Sequence, residues 1–93
     1  LIAYDEYLQS YVYQKIWSEL SEKDKIVMLA ISRKRKIKNK ELREELGFSS
    51  SLMSIYRDRL KRKGLIDTSE YGVLSIMLPR LDHYILEYEN FIE

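Results

Sequence analysis

The stretch Asn39–Gly64, NKELREELGFSSSLMSIYRDRLKRKG, decides the fold. It predicts two helices around a tight turn. The first runs from about Asn39 to Leu46, with Asn39 as its N-cap. Gly47 stands where that helix ends and the backbone needs a left-handed residue. Phe48 is apolar and plugs the corner. Ser49 caps a second helix that lasts to Lys63, and Gly64 closes it. Leu42 and Leu46 of the first helix face the core. So do Met53, Tyr56 and Leu60 of the second, at i, i+3 and i+7. A short helix, a turn with glycine and a longer basic helix make a helix-turn-helix.

Downstream, Leu65 to about Thr68 reads as a strand and Ser69–Gly72 as a turn. Val73–Leu78 is the return strand, with Leu74, Ile76 and Leu78 alternating against Val73, Ser75 and Met77. This hairpin is a wing. Pro79 ends the strand and opens a terminal helix at its first position. Arg80 to Glu93 then presents Leu81, Ile85, Tyr88 and Ile92 as one stripe, widened by Tyr84 and Phe91. Asp82, Glu87, Glu89 and Glu93 make its outer face acidic.

Upstream, Ser21 to Asp24 forms a capping box, with Asp in the place of the usual Glu. It starts a helix from Glu22 to about Ser32, whose core face is Ile26, Leu29 and Ala30 with Val27 beside them. Leu1 to Leu20 is a further helix without Gly or Pro. Tyr4, Leu8, Tyr11 and Ile16 follow helical spacing, and Tyr7, Tyr13 and Trp17 do so more loosely. This stripe is wider than one packing face requires, so the helix is either sandwiched or meets a partner. The fold class is mainly α with a small β-hairpin: a winged helix-turn-helix with extra N- and C-terminal helices. One domain spans 1–93, with the N-terminal helix in 1–20, the winged-helix core in 21–78 and the C-terminal helix in 79–93. Because the chain opens on Leu1, a longer parent chain is expected.

Charge points to function more directly than composition does. The net charge is +1, yet Arg33–Lys63 holds 12 Lys/Arg against 4 Asp/Glu, a net of +8. The remainder holds 4 against 11, a net of −7. A basic centre between acidic ends is expected to meet a polyanion, with the ends serving another purpose. The run Arg33–Lys40, RKRKIKNK, carries one apolar residue. Ile37 is read as a strand residue pinning the run to the core. Its cations Arg33, Lys34, Arg35, Lys36 and Lys38 are candidate phosphate contacts.

On the second helix of the pair, a rotation of roughly 100° per residue puts Ser51, Ser54, Ile55, Asp58 and Arg62 opposite the buried stripe. Arg59 and Lys61 flank that side, whereas Arg57 falls nearer the stripe and lays its stem along the surface. Ser50, Ser51 and Ser54 are small groups near a helix N-terminus, where phosphates or base edges approach closely. With Arg59, Lys61, Arg62 and Lys63 they complete the candidate DNA-binding set. Ile55 and Asp58 occupy positions where base readers would be Arg, Lys, Asn or Gln, so backbone contact is expected over sequence reading. The wing tip carries Asp67 and Glu70 and no cation, leaving Tyr71 to touch a backbone.

Other chemistry is not expected. There is no phosphate loop, dinucleotide fingerprint, HExxH or Cys/His cluster, so no catalytic residue, metal or cofactor is assigned and no small-molecule ligand is foreseen. His83, the only histidine, is a surface or packing residue. The absence of cysteine and of any apolar run near ~18 residues favours a cytoplasmic chain away from membranes.

ELREELGFSSSLMSIYRDRLKRKGLI resembles the helix-turn-helix of winged-helix domains, including bacterial regulators of the multiple-antibiotic-resistance type. YRDRLKRKGLI followed by YGVLSIMLPRLDHYI is similar to the C-terminal domain of prokaryotic P-loop ATPases of the AAA+/STAND type, akin to archaeal origin-recognition initiators. This resemblance implies an ATPase module upstream, with Leu1–Leu20 joining or following its lid. It also implies a DNA-contacting role for Arg33 to Lys36, Lys38 and Arg59 to Lys63. The expected partners are duplex DNA and, through the aromatic terminal helices, a homodimer or that upstream ATPase domain. The alternative is a winged helix serving protein–protein interaction or dimerisation without sequence-specific DNA binding.

Overall fold

A computed structural model describes the backbone of residues 2–78 and 80–92, and the side chains of 8–78 and 80–87. The expected roles of Pro79 and of the Tyr4, Tyr7, Tyr88, Phe91, Ile92, Glu89 and Glu93 side chains lie outside the described residues. The elements are α1 (Ile2–Ser18), α2 (Glu22–Lys34), β1 (Lys36–Lys38), α3 (Asn39–Leu46) and α4 (Ser50–Arg62), then β2 (Ile66–Asp67), β3 (Val73–Ile76) and α5 (Leu81–Ile92). The order from α2 to β3 is helix, strand, helix, helix, strand, strand. The fold is mainly α with a small antiparallel sheet, a winged helix-turn-helix extended by one helix at each end.

Both helices of the pair end in the same way. Gly47, at φ 70°, follows α3. Its N–H donates to the Glu44 carbonyl, and the Phe48 N–H donates to the Arg43 carbonyl. After α4, Gly64 donates to Lys61 and Leu65 to Leu60. This paired pattern satisfies carbonyls that the helix leaves free, and it needs a left-handed residue at its centre. An apolar residue follows each glycine. Phe48 packs on Tyr56 with ring centroids 5.9 Å apart, and Leu65 is buried. Ser49 caps α4, its Oγ accepting from the Leu52 N–H at 3.1 Å.

Asn39 is not the cap of α3. Lys38 occupies that position without a side-chain hydrogen bond. Asn39 is the first helical residue, and its N–H donates to the Gly72 carbonyl at 2.8 Å. The start of α3 is thus held by the wing and not by its own side chain.

The sheet order is β1-β3-β2. Lys36 faces Ser75, Ile37 faces Leu74 and Lys38 faces Val73, while Ile66 faces Ile76 and Asp67 faces Ser75. Residues directly opposite share a sheet face, and alternation sends neighbours to the other one. Ile37, Leu74, Ile66 and Ile76 therefore line the inner face. Lys36, Lys38, Ser75 and Asp67 line the outer face.

Helix α2 lies at the centre, packed against α5, both outer strands' partner β3, α3, β1 and α4. Its buried face is Val27, Met28, Ala30 and Ile31, whereas Ile26 is largely exposed. The predicted face was rotated by about one residue. In α1 the buried side chains are Tyr13 and Trp17, followed by Leu20 just beyond the helix. Leu8 and Tyr11, expected on the main stripe, are exposed together with Val12. The aromatic residues won the packed side because α5 presents Tyr84, which meets Tyr13 edge-on at 6.2 Å. No helix among the described residues is long and apolar enough to cross a membrane.

Candidate nucleic-acid interface

The cations of the basic centre do not share one face. On α4 they divide between two flanks, because steps of ~100° per residue alternate them about the buried stripe of Met53 and Leu60. Arg57 and Lys61, one turn apart, line a cleft of about 310 Å³ between α4 and the wing. Asn39, Asp58, Thr68, Tyr71 and Gly72 also line it. Arg62 is exposed beside Asp58 and Lys61, its Nε donating to the Asp58 carbonyl at 3.4 Å.

Arg59 faces the other way, which corrects its assignment to the DNA-binding set. Its Nη2 donates to Asp24 Oδ2 at 3.0 Å, and its guanidinium lies 5.5 Å from the Tyr56 ring centroid. Asp24 is completely buried. The same Oδ2 accepts the Ser21 N–H at 3.3 Å, and Ser21 Oγ accepts the Asp24 N–H at 3.1 Å. One carboxylate thus closes the capping box of α2 and anchors α4. Its Oδ1 has no hydrogen-bond partner, so among the described residues Arg59 is the one cation paired with this desolvated charge.

Lys63 also leaves the predicted face. It lines a separate groove with Ile16, Glu19, Leu20, Gly64, Leu65 and Leu78, on the α1 side of the molecule.

The run from Arg33 to Lys38 spans three environments. Arg33 and Lys34 end α2, where positive charge complements the helix dipole. Arg35 turns the chain out of α2 at φ 62°, a region non-glycine residues seldom adopt. Lys36 and Lys38 stand on the outer face of the sheet. Lys36 Nζ lies 3.1 Å from Glu70 Oε1, both side chains being exposed. An exposed pair of this kind contributes about 0–1 kcal/mol. It nevertheless places a wing acid beside a predicted phosphate contact and cancels its charge locally.

The serines serve different ends. Ser50 Oγ accepts a hydrogen bond from Arg43 Nη1, tying the α4 N-terminus back to α3. Ser51 is exposed and Ser54 half-buried. Ile55 is 54% exposed on the outward face of α4, as expected.

At the wing, the Ser69 N–H donates to Asp67 Oδ1 at 2.9 Å. That backbone bond, helped by the Ser69 hydroxyl and more weakly by Lys36, holds the Asp67 carboxyl below its ordinary range. Asp67 is therefore a turn-forming acid. Tyr71 at the tip has no packing partner that shields it and is fully exposed.

Sequence reasoning missed Arg57. Its position beside the buried stripe suggested a stem laid on the domain surface. The wing runs along that flank and turns the surface into a cleft wall. The i, i+4 spacing of Arg57 and Lys61 was the available signal. Asp58 Oδ1 lies 3.8 Å from Arg57 Nε, a loose contact between adjacent residues. Among the described residues no group of three or more His, Cys, Asp or Glu is placed to hold a metal ion.

Among curated proteins and solved structures there is no match to the chain. A family model does match, over residues 10–85, from the second half of α1 through the first turns of α5. The chain belongs to that family, described as a domain of unknown function, DUF8462.

Proposed function

We propose that the chain is a DNA-binding winged-helix module that holds duplex DNA mainly through its phosphates. The observation that carries this is the cleft in which Arg57 and Lys61 of α4 stand side by side facing the wing. Arg62, Ser51 and Ser54 continue that surface along α4, with Lys38 on the adjoining strand. Cations on a helix one turn apart suit successive backbone oxygens. Ile55 and Asp58 offer no bidentate base contact, so affinity comes from phosphates and not from sequence. No catalytic role is assigned to any residue, and a cytoplasmic placement goes with DNA as partner. A position at the C-terminal end of a larger ATPase rests on the likeness of Tyr56–Ile66 and Tyr71–Ile85 to such domains. Titration of a labelled duplex at two salt concentrations tests the proposal. Binding should weaken steeply with salt, and absence of binding at low salt would end it.

A second function is supported by α1. Leu8, Tyr11 and Val12 form an exposed apolar face opposite the packed Tyr13 and Trp17. A helix apolar on both sides suits a contact with a second copy or with a neighbouring domain. Light scattering on the wild type and on a Leu8→Ser/Val12→Ser variant tests it. A wild type that stays monomeric at high concentration removes the homodimer.

A further inference from the structure

We propose that the cleft between α4 and the wing takes an unpaired nucleotide of a DNA strand, its base stacked on Tyr71 and its phosphate held by Arg57 and Lys61. This rests on the DNA-binding function and names the form of DNA that the site selects. Tyr71 stands at the wing tip at 101% relative exposure. A side chain so exposed contributes no packing to the fold, yet an aromatic ring is the largest contact surface a turn can offer. It lines the same cleft as Arg57 and Lys61.

The surroundings suit a single strand better than a groove. A wing that enters a duplex groove profits from cations at its tip, where this one has Asp67 and Glu70. Asp67 accepts the Ser69 N–H, and Glu70 lies 3.1 Å from Lys36 Nζ. The cleft volume of about 310 Å³ is at the small end of ligand sites, enough to admit one nucleotide. An aromatic face beside backbone-tracking cations is the composition that binds unpaired strands, since every base has a face to stack and none need be read.

The test compares a blunt duplex with the same duplex carrying a short single-stranded overhang, by fluorescence anisotropy at low and at raised salt. The wild type, Tyr71→Phe and Tyr71→Ala are each titrated. The overhang substrate should bind about tenfold more tightly than the blunt one, the scale expected for one stacked base. Tyr71→Phe should keep that preference. Tyr71→Ala should abolish it, bringing the overhang substrate down to the affinity that variant shows for the blunt duplex, with the melting temperature unchanged because the ring is fully exposed. Equal binding of the two substrates by the wild type, or a preference that Tyr71→Ala leaves intact, overturns the inference and spares duplex binding. Failure of the wild type to bind either DNA at low salt overturns both. If an acidic, aromatic peptide then binds in a Tyr71-dependent manner, the cleft belongs to a protein partner instead.

Discussion

Arg59 Nη2 and Asp24 Oδ2 lie 3.0 Å apart, joining the basic helix α4 to the start of the central helix α2 through a carboxylate with no exposed surface. A cation in the densest charge run of the chain is thereby committed to the fold. Replacing Arg59 with Ala leaves Asp24 buried without its charge partner. Breaking such a pair typically costs about 3–5 kcal/mol, and the partial exposure of Arg59 places this one near the lower bound. Urea denaturation should show a loss of about 3 kcal/mol. DNA affinity of the folded variant should stay near that of the wild type.

Arg57 and Lys61 should behave in the opposite way. Neither closes a buried ion pair, so the double replacement by Ala should shift stability by only about 0.5 kcal/mol. It should weaken duplex binding to a similar extent on unrelated sequences. The slope of log affinity against log salt should fall in magnitude by about 2, close to one per phosphate contact removed. Anisotropy titrations across a salt series give both quantities. Weakening confined to one sequence would mean that these side chains read bases.

Gly47 sits at φ 70° with open space where a Cβ would project. Ala at this position meets no clash, and its cost is the left-handed backbone alone, about 1 kcal/mol. The thermal midpoint should fall by several degrees in a domain of this size. A Gly47→Asn variant should recover part of the loss, because Asn tolerates that region better. Equal midpoints for wild type and Gly47→Ala would show that the turn does not need its left-handed residue.

Asp67 supplies a pH test. Its carboxyl is held below the ordinary value by the Ser69 N–H, so the folded pKa is depressed relative to the unfolded one. The bond to Ser69 is therefore present throughout neutral pH, above the unfolded value. It is lost as pH falls through the folded value, below the usual carboxylate range. An NMR titration should show the Ser69 amide and the Asp67 carboxyl moving together there, with the wing loosening at the same step. Asp67→Ala should abolish the coupled shift.

Local rules written into single residues were legible without coordinates. Gly47, Gly64, Ser49 and the Ser21–Asp24 box each act through backbone hydrogen bonds within five residues of themselves. Alternation about Ile37 and Leu74 likewise needs only the pleat of a strand. Helix existence followed from period, but the buried side did not. Ile26, Leu8 and Tyr11 are exposed because α5 and its Tyr84 decide which faces of α1 and α2 are covered, and α5 is distant in sequence.

The candidate interface was the least legible part. A run of cations specifies net charge, not direction. Arg59, Lys63 and Lys36 were drawn away by Asp24, by the α1 groove and by Glu70. Asp24 and Arg59 are 35 positions apart, and Lys36 and Glu70 are 34 apart. Arg57 entered the cleft because the wing folds back beside α4.

By itself, the chain's order of residues determined the elements, their caps and turns, and a basic centre between acidic ends, since these depend on torsions and spacing over one or two helical turns. Only the tertiary structure decided which cations remain available to a polyanion. Charge acts across space, and each basic side chain takes whichever partner the packed elements bring within a few ångströms.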